Sequence, residues 1–135
     1  MFLPILGWIV AAEIARERLR PTRKHLAEQL IARPDDVDMA WMGTDRRVHV
    51  GRLIRRLIHA ALDWPNDRFI PEDAIDTVFF DDDGEFHDVV QDAMEELGLP
   101  ADSLPDSEIE RLSKLTLGAL VDRLLEAMSQ PEVQR

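Results

Sequence analysis

"VVQDAMEELGLPADSLPDSEIERLSKLTLGALVDRLL", residues Val89–Leu125, is the stretch on which the reading of the fold turns. Together with Phe86, its Val89, Val90, Ala93, Met94 and Leu97 recur at three- and four-residue steps, one apolar stripe of a helix that Gly98 is suited to stop. A loop with two prolines, "LPADSLPD", follows. Ser107 and Glu110 then match a capping box for a two-turn helix ending at Leu112. Thr116 stands where it can cap a last helix, with Leu117, Leu120, Val121, Leu124 and Leu125 turned inward and Pro131 closing it.

Upstream of this stretch the same period returns. Val50, Leu53, Ile54, Leu57, Ile58, Ala61 and Leu62 form the apolar stripe of a helix that starts near Asp45. Arg46, Arg47, Arg52, Arg55 and Arg56 read as its solvated face. "DWPNDRFIPED" breaks the helix at Pro65 and Pro71, with Phe69 and Ile70 as apolar plugs in a long loop. Ala74, Ile75, Val78, Phe79 and Phe80 suggest a short helical turn leading into "DDDG".

The N-terminal part is punctuated by Pro21 and Pro34. A helix from about Ile5 to Arg20 is expected to stop before Pro21, and Thr22 to cap a second one that turns Leu26, Leu30 and Ile31 inward. "RPDDVDMAWMG", Arg33–Gly43, reads as a connector whose Met39, Trp41 and Met42 either plug a hydrophobic gap or form a sticky surface. Nothing alternates in the manner of a strand, so the fold class is all-α.

Composition narrows the function classes. The chain has 135 residues, enough for one core, and no cysteine, which excludes disulfides and thiolate zinc sites. Its net charge of −11 is unevenly spread. Residues 1–62 carry 11 Lys and Arg against 7 Asp and Glu, whereas 63–135 carry 5 against 20. An acidic half of that kind repels nucleic-acid phosphates and attracts a basic partner surface, or simply keeps the domain in solution.

The opening residues, "MFLPILGWIVAA", are almost wholly apolar. As a helix they would span about 18 Å, short of the ~30 Å hydrocarbon core, and neither a basic n-region nor a cleavage site accompanies them. Phe2, Leu3, Ile5, Trp8 and Ile9, trailed by Arg16, Arg18, Arg20, Arg23 and Lys24, suit either a membrane interface or packing on protein. A cytoplasmic location is expected, with membrane association open through this segment.

The order of one long helix, a long loop, a second long helix, a short third and a fourth resembles an acyl carrier protein. The match lies in Glu95-Glu96-Leu97, Asp106–Leu112 and Thr116–Leu125 and spans about Asp45–Met128. The resemblance implies a four-helix acyl-carrier-like bundle over 44–128, an N-terminal helical extension and connector over 1–43, and a tail over 129–135.

In that family the serine that receives phosphopantetheine stands at the start of the second helix. The equivalent place falls in "DDDG", nearest Asp83, and no serine or threonine occurs between Thr77 and Ser103. A carboxylate has no hydroxyl to form the phosphodiester. The triplet Asp102-Ser103-Leu104 looks like the family's attachment triplet, but it falls in the loop between the second and third helices. The resemblance therefore implies a non-enzymatic, carrier-like interaction module with no cofactor. The alternatives are a true acyl or peptidyl carrier with its phosphopantetheine on Ser103, and a membrane-peripheral protein anchored by residues 2–12.

Asp83 is expected to cap the second long helix, with Asp81 and Asp82 adding negative charge at the same end. Asp81 and Asp82, and along that helix Asp88, Asp92, Glu95 and Glu96, would face a basic surface, such as that of an acyl-transfer or lipid-related enzyme. Other chemistry finds no motif. An EF-hand with Gly84 sixth would begin at Phe79 and end at Val90, which fails at both ends. His25, His49, His59 and His87 form no i,i+3 or i,i+4 pair, so no metal site is expected, and His87 is expected to be exposed. No Gly-x-Ser-x-Gly and no glycine-rich phosphate loop occurs, so no enzyme activity is expected.

Overall fold

The computed structural model describes residues 22–80 and 82–130. They are helical at 22–32 (α1), Asp45–Ala61 (α2), Ile75–Val78 (α3), Asp83–Glu96 (α4), Asp106–Leu112 (α5) and Leu117–Ser129 (α6), with a 3-10 turn at Asp38–Trp41. Among the described residues there is no strand, only an isolated bridge between Ala74 and Thr116. The class is all-α. The expected helix from Ile5 to Arg20, with Phe2, Leu3, Ile5, Trp8 and Ile9, lies outside the described residues, as does Asp81.

Local chemistry sets most helix ends. The Thr44 hydroxyl accepts from the Arg47 N–H at 3.1 Å to open α2, and the Thr116 hydroxyl accepts from the Ala119 N–H at 3.3 Å to open α6. At the end of α4, Gly98 takes φ +73°, its N–H reaches the Glu95 carbonyl, and the Leu99 N–H reaches Met94. That left-handed turn satisfies two carbonyls the helix leaves open, and glycine adopts it without steric cost.

Three expected caps are corrected. Asp82, not Asp83, caps α4, its carboxylate accepting from the Glu85 N–H at 3.0 Å. The capping box of Ser107 and Glu110 does not form, because α5 begins at Asp106 behind Pro105 and Ser107 is already inside the helix. Thr22 is likewise within α1 rather than ahead of it.

A single core gathers Leu26 and Leu30 of α1, Trp41, and apolar side chains from every later helix. Residues on both sides of position 43 thus share one interior. Leu26 and Leu30, one turn apart, point inward, whereas Ile31 is 64% exposed, contrary to the expectation that it faces the core. The connector divides in the same way. Trp41 is fully buried and donates its indole N–H to the Phe69 carbonyl at 3.0 Å, while Met39 and Met42 remain exposed.

The arginine face of α2 is not uniformly solvated either. Arg55 is buried, donating to the Gly51 carbonyl at 3.1 Å and to Asp38 at 2.7 Å, with its guanidinium 5.7 Å from the Trp41 ring centre.

The long loop after α2 is held as firmly as a helix. Arg33 pairs with the buried Asp73 through two bonds of 2.7 and 2.8 Å, and Asp73 also accepts the Ile70 N–H. The carbonyls of Pro71 and Asp73 accept the N–H groups of Gly118 and Leu117, both at 2.9 Å, satisfying donors at the head of α6. This loop joins the end of α1 to the start of α6.

Candidate functional site

The head of α4 is built by a strained turn. Phe80 takes φ +51°, a left-handed conformation that costs a non-glycine residue about 1–2 kcal/mol. Its ring lies 4.9 Å from the Arg23 guanidinium, which stands at the same distance over Trp64. The Asp82 N–H closes the turn onto the Phe79 carbonyl at 2.9 Å. This reversal aims Asp82 back at the helix it caps and leaves Asp83 and Glu85 in the first turn, where the positive end of the helix dipole favours acids.

Asp83 lines a cleft of about 340 Å³ between α4 and α5, floored by Phe86 and Ile109. At its mouth a ring nitrogen of His87 lies 3.0 Å from the Asp106 carboxylate. The expected exposure of His87 is only partial, since this contact draws it towards α5. Ser103 is placed quite differently. It lies half-buried in the loop between α4 and α5, its N–H bonded to the Pro100 carbonyl at 3.0 Å, and it lines a separate cleft at the opposite end of α4.

Along α4 the structure sorts the acids by what they already hold. Asp82 caps the helix. Glu96 receives Arg56 from α2 at 2.7 Å, which engages it within the molecule. Asp88, Asp92 and Glu95 are exposed and take part in no ion pair among the described residues. Their i, i+4, i+7 spacing sets them on one stripe, opposite the buried Val89, Val90, Ala93 and Met94. Glu96 and Asp82 therefore leave the group available for a partner, and Asp83 belongs to the cleft.

Several acids elsewhere are engaged by arginines, while others, Asp67 and Glu72 among them, are exposed and hold no cation among the described residues. Arg123 binds Glu108 through its guanidinium, and that hydrogen bond holds the Glu108 carboxyl below its ordinary range. Arg52, then Arg55, donates to Asp38 and lowers it from 3.8 to about 2, against the opposing effect of burial. Arg47 holds Asp122 at 3.0 Å. The contacts Arg56–Glu96 and His87–Asp106 had no signal in the sequence, since 40 and 19 residues separate the partners.

Among the described residues no group of three or more His, Asp or Glu side chains is arranged to hold a metal ion, and no helix is long and apolar enough to cross a membrane. No protein-family model, no curated protein and no solved structure matches the chain.

Proposed function

We propose that this protein is a non-enzymatic, acyl-carrier-like helical module that docks on a basic protein surface through the acidic stripe of α4. One observation carries the reading: Asp88, Asp92 and Glu95 are exposed, aligned and in no ion pair among the described residues, while Asp38, Glu96, Glu108 and Asp122 each hold an arginine. Supporting it, Asp82 and Asp83 stand at the head of α4, and the resemblance assigns the family's modified serine to the place nearest Asp83. The resemblance directs the search for a partner towards enzymes of acyl transfer or lipid chemistry.

Charge steers such an association, so it weakens as salt screens the two surfaces. The test is capture by the immobilised full chain, compared with Asp88→Lys/Asp92→Lys/Glu95→Lys and with a control reversal at the exposed Asp67 and Glu72. Salt-sensitive capture lost in the triple variant and kept in the control is expected. Capture that the triple variant leaves unchanged refutes the reading.

A covalent carrier role is distinguished by intact mass after incubation with a broad-specificity phosphopantetheinyl transferase and coenzyme A. No mass gain is expected. A gain abolished by Ser103→Ala overturns the proposal in favour of a carrier modified in the α4–α5 loop.

A further inference from the structure

Of the five arginines on α2, four are engaged: Arg47 with Asp122, Arg52 and Arg55 with Asp38, and Arg56 with Glu96. Arg46 alone makes no ion pair and no side-chain hydrogen bond among the described residues. It lines a cleft of about 520 Å³ where the start of α2 meets the ends of α4 and α6. Leu97, Leu99 and Met128, each half-buried against the core, give that cleft apolar walls. Ser103 adds a half-buried hydroxyl that no protein group engages among the described residues.

A permanent cation beside apolar walls, with a free hydroxyl in the same hollow, suits an anion that carries an apolar group. The planar fork of arginine fits carboxylate and phosphate alike. Charge decides between them. Asp102 is the one acid lining this cleft among the described residues, and the chain as a whole carries −11, so a dianionic phosphate meets more repulsion than a monoanion. We infer that this cleft binds a small amphipathic monocarboxylate, its carboxylate on Arg46 and its apolar group on Leu97, Leu99 and Met128. The inference stands apart from docking by the α4 stripe, which uses other residues.

The test titrates the full chain with sodium octanoate and follows backbone amide shifts by NMR, with octanol and octylammonium as matched neutral and cationic probes. Octanoate is expected to shift Gly98, Leu99 and Ser103 saturably and to bind at least fivefold more tightly than either control. Arg46 is exposed, so Arg46→Gln is expected to keep the fold while weakening octanoate at least fivefold, with Arg46→Lys intermediate. Asp102→Asn removes the opposing charge and is expected to tighten binding. Absence of saturable shifts, equal binding of octanol or octylammonium, or unchanged octanoate affinity in Arg46→Gln overturns the inference. So does weaker binding in Asp102→Asn, which also serves as the readout should Arg46→Gln fail to fold.

Discussion

Replacing Gly51 with alanine sets two effects of opposite sign against each other. Gly51 lies inside α2, where glycine is about 0.8–1.0 kcal/mol less favourable than alanine, so propensity alone makes the substitution stabilising. A Cβ at that position, however, would stand 2.8 and 2.9 Å from two atoms of the Trp41 ring, where carbon pairs prefer about 3.5–4.0 Å. The ring has little room to retreat, being fully buried and tied by its N–H to the Phe69 carbonyl at 3.0 Å. Overpacking of this kind costs about 1–3 kcal/mol. The clash outweighs the propensity gain, and Gly51→Ala is expected to destabilise by about 1 kcal/mol, on the order of 3–6 °C in melting temperature for a core of this size.

The assay is urea unfolding in two backgrounds, reading the midpoint at unchanged slope. In the wild-type background Gly51→Ala lowers the midpoint. In Trp41→Leu, which carries its own penalty, the obstacle is gone, and the same substitution becomes neutral or stabilising by up to about 1 kcal/mol. A stabilising Gly51→Ala in the wild-type chain, or an equal loss in both backgrounds, refutes the packing of the 3-10 turn on α2.

Three further outcomes are expected. Asp82→Ala removes the α4 cap and lowers stability by about 1 kcal/mol, whereas Asp83→Ala costs less than about 0.5 kcal/mol, compared by thermal melting. Arg33→Ala leaves the buried Asp73 carboxylate without its cation and costs about 3–5 kcal/mol in urea unfolding, and replacing both partners with leucine costs less than the single change. Asp38, lowered from 3.8 to about 2, stabilises the fold above the unfolded value and loses that contribution as pH falls between the two. The gap between wild type and Asp38→Asn, about 1 kcal/mol near neutrality with Arg52 exposed, should therefore close below about pH 2 in urea unfolding followed across pH.

The helices were legible because their determinants are local. Thr116 caps the helix its position suggested, and the stripes of α4 and α6 face inward over Val89, Val90 and Met94 and over Leu120, Val121 and Leu124. What escaped the sequence depends on distant chain. The burial of Arg55 follows from Asp38 folding back across α2, 17 residues away. The one-residue shift from Asp83 to Asp82 follows from the left-handed Phe80, a conformation no aromatic residue advertises. Ile31 and Leu30 are adjacent and equally apolar, so only the place where α1 meets the core separates them. Both clefts lie where helix ends from separate parts of the chain converge, and periodicity says nothing about such junctions.

The acidic half of the chain admits two explanations, solubility and docking, and the arrangement of its charges bears on the choice. Solubility depends on how many acids the surface carries and is indifferent to which helix holds them. Here three acids of α5 and α6 have partners within the chain: Asp106 meets His87, Glu108 meets Arg123, and Asp122 meets Arg47. Four of the five arginines of α2 hold acids of this chain, Arg46 being the exception among the described residues. Asp88, Asp92 and Glu95 remain on one side of one helix and pair with no cation among the described residues. Three like charges along a helix face repel one another by about 0.2–0.5 kcal/mol per i,i+3 or i,i+4 pair, a standing cost that an opposite charge on a partner would relieve. Docking would turn that repulsion into binding energy, whereas solubility would be served as well by scattering the same acids.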